Sequence, residues 1–221
     1  MNTASRSQKG TGFFDSSRLS SLASPKINQY YFRMSDQRWK PTKEQILNAF
    51  GRKMTDVIGP GLEILFCGIN PSLYSAAVGH HFARPGNRFW PTLYAAGFTD
   101  RLFSAFEDSL LLGRGYGITN VVDRATASAA ELKPEEYVKG GQRLEAKVRK
   151  YSPKVVAVLG VTAYRAAFGN KDAVIGRQEE NLGGALLWVL PNPSGLNAHY
   201  RLEDLARVYK EMRITIEKDM Q

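Results

Sequence analysis

The sequence predicts an α/β fold of three layers (α/β/α), with helices on both faces of a central, mostly parallel sheet of four to five strands. Short apolar segments alternate with amphipathic ones along the chain, and this alternation is typical of a parallel sheet. The predicted strand 154–160 is apolar at every position from Val155 to Leu159, as in a strand that is buried on both faces. The 221 residues suffice for one substantial core.

Hydrophobic spacing and turn residues divide the chain into its predicted elements. Within the predicted helix 134–151, Leu144 and Val148 lie on one face. The same helix contains Gly140 and Gly141, which fit a helix only if another element packs closely against them. The predicted strands cover 62–68, 116–122, 154–160 and 185–190; the predicted helices cover 88–96, 100–112, 134–151, 162–168 and 202–218, and a short helix follows Thr42 as its N-cap.

The charge balance favours a phosphate-rich partner. Thirty Lys and Arg residues face 21 Asp and Glu residues, which gives a formal net charge of +9. Such a surface suits nucleic acid, although charge alone is equally compatible with a basic protein of another kind. No apolar run approaches the roughly 18 residues of a membrane span, so we expect no membrane partner.

Cysteine and histidine content limits the possible cofactors. Cys67 is the only cysteine, which excludes a disulfide framework within one chain and any site built from several cysteine ligands. Because it lies inside an apolar run, Cys67 is expected to be a small buried hydrophobe. His80 and His81 are adjacent and lack the i, i+4 spacing of two ligands on one helix face, so we expect no metal site.

Residues 1–34 differ in composition from the rest of the chain. They are rich in serine and basic residues and contain Asp15 as their only acidic residue. This composition is typical of a disordered basic arm or a transit peptide, and Met34 also resembles a natural start. We predict a disordered basic extension at 1–34 and a single catalytic domain at 35–221.

Polar residues follow three of the predicted strands. Asn70 comes directly after the first strand, Asn120 and Asp123 lie at the end of the second, and the loop 191–197 follows the fourth. Ligands of open α/β sheets bind beyond the carboxyl ends of the strands, so we expect these residues to face one pocket. Phosphate-binding glycine motifs and the GxSxG nucleophile motif are absent from the sequence. The polar, uncharged end of the first strand, the aromatic residues and the rigid loop suit a base that is flipped out of a duplex.

Two separated motifs carry a resemblance to a known family. Gly-Ile-Asn-Pro-Ser at 68–72, followed by Asn-Arg-Phe-Trp at 87–90, and Pro-Asn-Pro-Ser-Gly-Leu at 191–196 resemble the mismatch-specific uracil/thymine-DNA glycosylases, in particular the bacterial ones. These enzymes belong to the uracil-DNA glycosylase superfamily. The resemblance covers about residues 57–216 and includes the segments 96–100 and 122–124.

The resemblance implies a uracil-DNA glycosylase-like fold and a monofunctional hydrolase of base excision repair. Such an enzyme cleaves the N-glycosidic bond of uracil, notably opposite guanine, and leaves an abasic site; ethenocytosine and thymine are further candidate substrates. It uses no metal and no cofactor, and its partner is double-stranded DNA with G:U-type mismatches. A monomer in the bacterial cytoplasm, associated with the nucleoid through DNA, is also implied.

The resemblance also implies roles for individual residues. Asn70 matches the asparagine that positions the attacking water, and Phe82 matches the aromatic ring that stacks on the flipped base. The backbone N–H of Ile69 matches a contact to that base, and Ser75 flanks the pocket.

The second motif implies contacts to the duplex. Leu196 matches the wedge that is inserted into the duplex, and Gly195 and Asn197 flank it where the opposite guanine is read largely through backbone groups. Basic residues near the two motifs are candidates for contacts to DNA phosphates: Arg84, Arg88, His199 and Arg201.

The sequence departs from the family pattern at three positions. Ser72 replaces a glycine, and its hydroxymethyl group is expected to narrow the pocket mouth. Asn120 replaces a lysine and Ala198 an arginine. Because the lysine charge is missing, Asp123 is a secondary catalytic candidate, and a structural ion pair with Arg124 or a capping role is the alternative for it.

Two other functions are compatible with parts of the pattern. A non-catalytic binder of damaged or single-stranded DNA could use the same pocket. A nucleotide-binding α/β enzyme is disfavoured because the sequence contains no phosphate-binding loop.

Overall fold

The computed structural model describes residues 39–219. The predicted N-terminal extension at 1–34 lies outside the described residues. None of the helices between residues 39 and 219 is long and apolar enough to cross a membrane.

A five-stranded sheet in the order β2-β1-β3-β5-β4 forms the centre of the fold. Four strands are parallel and only β4 runs antiparallel, against β5. The predicted sheet and its four parallel strands are confirmed. The strands are β1 (Ile64–Gly68), β2 (Tyr116–Asn120), β3 (Val155–Leu159), β4 (Gly176–Leu182) and β5 (Ala185–Leu190).

The strand β4 was not predicted because its sequence is polar. Only Gln178 and Leu182 are buried among its seven residues, and its ladder with β5 is irregular between Arg177 and Asn181. An edge strand packs only in part against the core, so it lacks the apolar pattern that identified the other four.

Helices lie on both faces of the sheet; the helix at Leu73–Val78 was not predicted, and the others lie close to predicted positions. Thr42 caps the first of them as expected, by accepting a hydrogen bond from the Gln45 backbone N–H at 3.2 Å. The predicted helix 100–112 is instead a 3-10 helix, Ala105–Arg114, with a non-helical residue at Glu107. The α-helices are α1 (Lys43–Leu47), α2 (Leu73–Val78), α3 (Phe89–Ala95), α4 (Pro134–Tyr151), α5 (Val161–Phe168) and α6 (Leu202–Asp219), and a second 3-10 helix is Ala129–Glu131.

Alternate residues of the parallel strands enter two separate cores. In β1, Phe66 faces the core that α3 and α6 cover, whereas Leu65 and Cys67 face the core under α4 and α5. This explains why the central strands are apolar at every position. Cys67 is fully buried, as predicted, and burial raises the pKa of its thiol.

Two glycines allow close packing of α4, Gly140 against the segment that follows β2 and Gly141 against α5. A Cβ atom on Gly140 would lie 2.3 Å from the carbonyl oxygen of Val121, and one on Gly141 would lie 2.7 Å from that of Ala167. The close packing that the sequence required at these glycines is therefore present. It brings the segment that follows β2 under the helix.

The substitution Gly140→Ala tests this contact. The added methyl group would force α4 away from Val121, so we expect the free energy of unfolding to fall by about 1–3 kcal/mol, although alanine favours a helix by about 1 kcal/mol. Urea denaturation measures the change. Gln142→Ala, at an exposed position of the same helix, is the matched control and should change stability by less than about 0.5 kcal/mol. Wild-type stability in Gly140→Ala would contradict the close approach.

Candidate active site

A cleft of about 500 Å³ opens at the carboxyl ends of the parallel strands, where the sequence predicted the site. It is lined by residues that follow β1, β3 and β5, together with the end of β2. The following predicted site residues line it: Ile69, Asn70, Ser72, Ser75, Phe82, Arg84, Asn120, Leu196, Asn197 and His199. Four others, Asp123, Arg88, Gly195 and Arg201, are not part of its wall.

The amide of Asn70 is held in one orientation. Its Nδ2 donates to Thr126 Oγ1 at 2.7 Å, to the Arg124 carbonyl at 3.1 Å and to the Pro71 carbonyl at 3.3 Å. Thr126 Oγ1 donates its own proton to the Ser128 carbonyl, so it must accept from Asn70. Because all three partners accept, they fix the NH₂ group. No residue within 39–219 donates to Asn70 Oδ1, which is therefore available to a ligand or a water.

The segment 121–128 carries two of these three acceptors and is itself anchored to β1. Val121 N–H donates to the Gly68 carbonyl and Val122 N–H to that of Ile69, both at 2.9 Å. Thr126 was not identified from the sequence, because 56 positions separate it from Asn70 and only the fold joins them.

A two-point ion pair holds the same segment from outside the cleft. Arg124 donates to Glu136 on α4 at 2.6 and 2.8 Å, and its guanidinium holds the pKa of Glu136 at about 2. The carboxylate that pairs with Arg124 is thus on α4, and it is not Asp123.

The Phe82 ring lies across the end of β1. Its backbone is in the left-handed region, with φ of 54°, and the ring stacks on Phe89 with centroids 4.0 Å apart. A Cβ atom on Gly68 would lie 3.2 Å from the Phe82 ring and 2.6 Å from Asn120 Oδ1. The missing side chain of Gly68 therefore makes room for two residues of the cleft, a role that sequence analysis did not identify.

Asn120 supplies an unpaired amide to the cleft. It is the last residue of β2 and is buried, yet its side chain makes no hydrogen bond with other residues of the described chain. An amide carries both a donor and an acceptor, so Asn120 can recognise a polar edge of a ligand.

Two serine hydroxyls stabilise the turn between β1 and Phe82. Ser72 caps α2 by accepting from the Ser75 N–H at 3.1 Å, and Ser75 Oγ accepts from the Ala83 N–H at 3.1 Å. The hydroxyl of Ser72 thus has a local structural partner as well as a place on the cleft wall.

Asp123 does not line the cleft, and its ion pairs with α4 favour the structural alternative over the predicted share in catalysis. Its carboxylate lies 3.5 Å from Lys147 Nζ and 3.5 Å from Arg143 Nε, both on α4. Lys147 also pairs with Asp56 at 2.7 Å and donates to Thr119. The sequence indicated an ion pair as the alternative role, but the partners are distant in the chain and could not be identified from it.

The loop 191–200, which follows β5, presents Leu196 to solvent. This side chain is 74% exposed although it is apolar. A Cβ atom on Gly195 would lie 2.5 Å from the Gly86 carbonyl oxygen. The backbone of the loop 191–200 therefore contacts the segment that precedes α3.

Arg88, a predicted phosphate contact, is engaged by the protein itself, which favours a structural role for it. Its guanidinium donates to the carbonyl oxygens of Ser194, Asn197 and Tyr200, all in the loop 191–200. Arg84, His199 and Arg201 are exposed, and no acidic side chain among residues 39–219 forms an ion pair with them. These three side chains remain candidates for phosphate contacts.

His81 is a cleft residue that sequence analysis did not place. It is buried, and its Nε2 lies 3.0 Å from the Thr55 carbonyl oxygen. A carbonyl only accepts, so Nε2 carries the proton and Nδ1 is an acceptor. Burial lowers the pKa of this imidazole, which is therefore neutral at pH 7. Within residues 39–219, no group of His, Cys, Asp and Glu side chains is arranged to hold a metal ion.

Comparison with known families supports the sequence-based prediction at the level of the superfamily. Residues 55–213 match the family described as the Uracil DNA glycosylase superfamily. The chain belongs to this superfamily. The chain is also similar to the solution NMR structure of "a putative Uracil DNA glycosylase" from Methanosarcina acetivorans, to which it is 20% identical. That match covers 74% of this chain and 99% of the other, with a TM-score of 0.49. Membership of the mismatch-specific family stays a prediction.

The buried neutral His81 predicts a pH dependence of stability. Burial is the main cause that lowers the pKa of His81, and the nearby His80 lowers it further. The Thr55 carbonyl, Asp108 and Asp56 act in the opposite direction and offset this only in part. Below about pH 6.5 the unfolded chain binds a proton that the folded protein does not bind as readily. The free energy of unfolding therefore decreases as the pH is lowered. Urea denaturation should show a larger loss between about pH 7.5 and about pH 5.5 in the wild type than in His81→Gln. The same loss in both proteins would contradict this assignment.

Proposed function

We propose that this protein is a monofunctional DNA glycosylase that hydrolyses the N-glycosidic bond of uracil in DNA, notably opposite guanine. The observation that carries the proposal is the fixed amide of Asn70 at the end of β1. Its Nδ2 is held by three acceptors, and its Oδ1 is available in the cleft. Membership of the superfamily supports the assignment of uracil as the base.

Asn70 acts by holding a water. The water donates a hydrogen bond to Oδ1, and its oxygen attacks the sugar carbon C1′ as the bond from C1′ to the base nitrogen breaks. The bonding electrons leave with the base, the proton of the water passes to solvent, and an abasic sugar remains. An amide is a weak base, but an oxocarbenium-like transition state requires chiefly that the water be positioned.

The flipped base stacks on Phe82. This ring is supported from behind by Phe89, and such a rigid aromatic face suits the π-face of any base. The unpaired amide of Asn120 and the backbone N–H of Ile69 then bind the polar edge of uracil. Donors near the base oxygen stabilise the negative charge that develops as the base departs.

The duplex is engaged by the loop 191–200. Leu196 enters the stack that the flipped base leaves, and the backbone of Gly195 and Asn197 reads the opposite guanine. The exposure of Leu196 supports this role. Arg84, His199 and Arg201 bind phosphates, which the net charge of +9 favours. The Ser72 side chain at the cleft wall limits the size of the base that can enter. Thymine and ethenocytosine are therefore the alternative bases to compare with uracil.

Release of uracil by the wild type and by Asn70→Ala tests the function. A duplex with uracil opposite guanine is incubated with protein and heated in alkali, which cleaves the strand at an abasic site. We expect scission with the wild type and faster release from G:U than from A:U duplex. Asn70→Ala should keep its affinity but release the base about 10²-fold more slowly in single-turnover kinetics, because the water is no longer held.

Asp123→Asn is the matched control for that substitution. Asp123 pairs with α4 outside the cleft, so this variant should release uracil at the wild-type rate. Tight binding by the wild type without scission would favour the alternative, a non-catalytic binder of damaged or single-stranded DNA. A normal rate in Asn70→Ala would exclude the water-positioning role of Asn70.

The hydroxyl of Thr126 should matter through Asn70. Thr126→Val keeps the shape of the side chain but removes the acceptor at 2.7 Å from Asn70 Nδ2. We expect single-turnover release about tenfold slower with unchanged DNA affinity, since the amide loses one of its fixing contacts. Thr126→Ser retains the hydroxyl and should retain most of the rate. A wild-type rate of release in Thr126→Val would show that the other two acceptors suffice to fix the Asn70 amide.

A further inference from the structure

We propose that Arg88 is the positioning residue of the wedge: it shapes the loop 191–200 and thereby fixes Leu196. This inference rests on the proposed function, because it assigns a support to the group that enters the duplex. Arg88 itself contacts neither the base nor the water in this scheme.

The loop folds around the Arg88 guanidinium. Carbonyl oxygens of Ser194, Asn197 and Tyr200 converge on its two Nη atoms, with 3.0 Å to the Asn197 oxygen. These residues are spaced by three positions, so the backbone makes one turn about the charged group. The Arg88 backbone N–H adds a fourth bond, to the Pro193 carbonyl at 2.9 Å.

Arginine is suited to this position by its geometry. Its planar guanidinium offers several donors in fixed directions, whereas a lysine ammonium is a compact point charge. Three carbonyl dipoles that point to one centre repel each other unless a cation lies between them. Arg88 Nε is buried without a hydrogen-bond partner among residues 39–219, so the contacts of the side chain within this region are made by its outer nitrogens.

Arg88 is half-buried and is next in the chain to a residue that supports the stacking ring. It precedes Phe89, the first residue of α3, which is fully buried and supports Phe82. Adjacent residues therefore support the two parts of the site: Phe89 the base platform, and Arg88 the loop with the wedge. A loop that is ordered before DNA binds loses less entropy on binding, which favours base flipping.

Double substitution of Arg88 and Leu196 tests the inference. Arg88→Ala, Leu196→Ala and the double variant are compared in single-turnover release from a G:U duplex. If Arg88 acts through Leu196, each single variant should be slower by about tenfold or more, and the double variant no slower than the slower single one. If the rate decreases of the two single variants multiply in the double variant, the two residues act independently and the inference is overturned.

Base flipping is measured separately from release. A duplex with 2-aminopurine beside a 2′-fluoro-2′-deoxyuridine, which resists hydrolysis, becomes more fluorescent when the base is flipped out. Arg88→Ala should reduce the fluorescence increase at saturating protein as Leu196→Ala does. A role in general stability alone would lower the melting temperature but leave the flipping of the folded fraction unchanged, and this outcome would also overturn the inference.

Two further variants complete the design. Arg84→Ala removes an exposed charge four positions before Arg88. We expect its decrease in release rate to multiply with the decrease caused by Leu196→Ala, and to become smaller at high salt. Arg88→Lys is used in the same cycle if Arg88→Ala does not fold, and we expect a partial loss that again does not multiply with that of Leu196→Ala. Absence of release by the wild type would count against the proposed function itself, whereas multiplying losses in an active enzyme would exclude only the role of Arg88.

Discussion

The hydrogen bonds between the end of β1 and the segment 121–128 are the constraint on which the candidate site depends. They place the Thr126 hydroxyl and the Arg124 carbonyl around the Asn70 amide, and so decide which of its atoms faces the cleft. The segment packs directly against α4 at Gly140, where any side chain would clash with the Val121 carbonyl. A glycine on a distant helix is thus linked to the orientation of one amide.

The cleft wall is largely neutral. Asn70 and Asn120 are amides, and His81 is held uncharged by burial. The acidic groups Asp56 and Asp123 are neutralised by Lys147 and Arg143 beside α4, outside the cleft. A carboxylate in the cleft would repel the phosphates of an approaching strand, so this separation of charge suits a site that accepts DNA.

Local patterns predicted the fold well and the site in part. Apolar runs identified the four parallel strands, and polar residues at their ends identified the residues of the cleft wall. Contacts between distant residues were beyond sequence reasoning: Thr126 beside Asn70, and the α4 cations beside Asp123. The charge of Arg88 indicated a phosphate contact, whereas only the fold brings three carbonyl groups to it. The strand β4 was missed because its polar residues carry no core pattern.

That polar strand has a consequence for behaviour in concentrated solution. Proteins that bind close together on DNA reach a high local concentration. A free sheet edge can then pair with the edge of another molecule. The edge formed by β4 exposes Arg177, Glu179 and Glu180, and its ladder is irregular. The opposite edge, at β2, is partly covered by a bridge between Val57 and Ile118. Both borders of the sheet thus oppose edge-to-edge pairing between molecules.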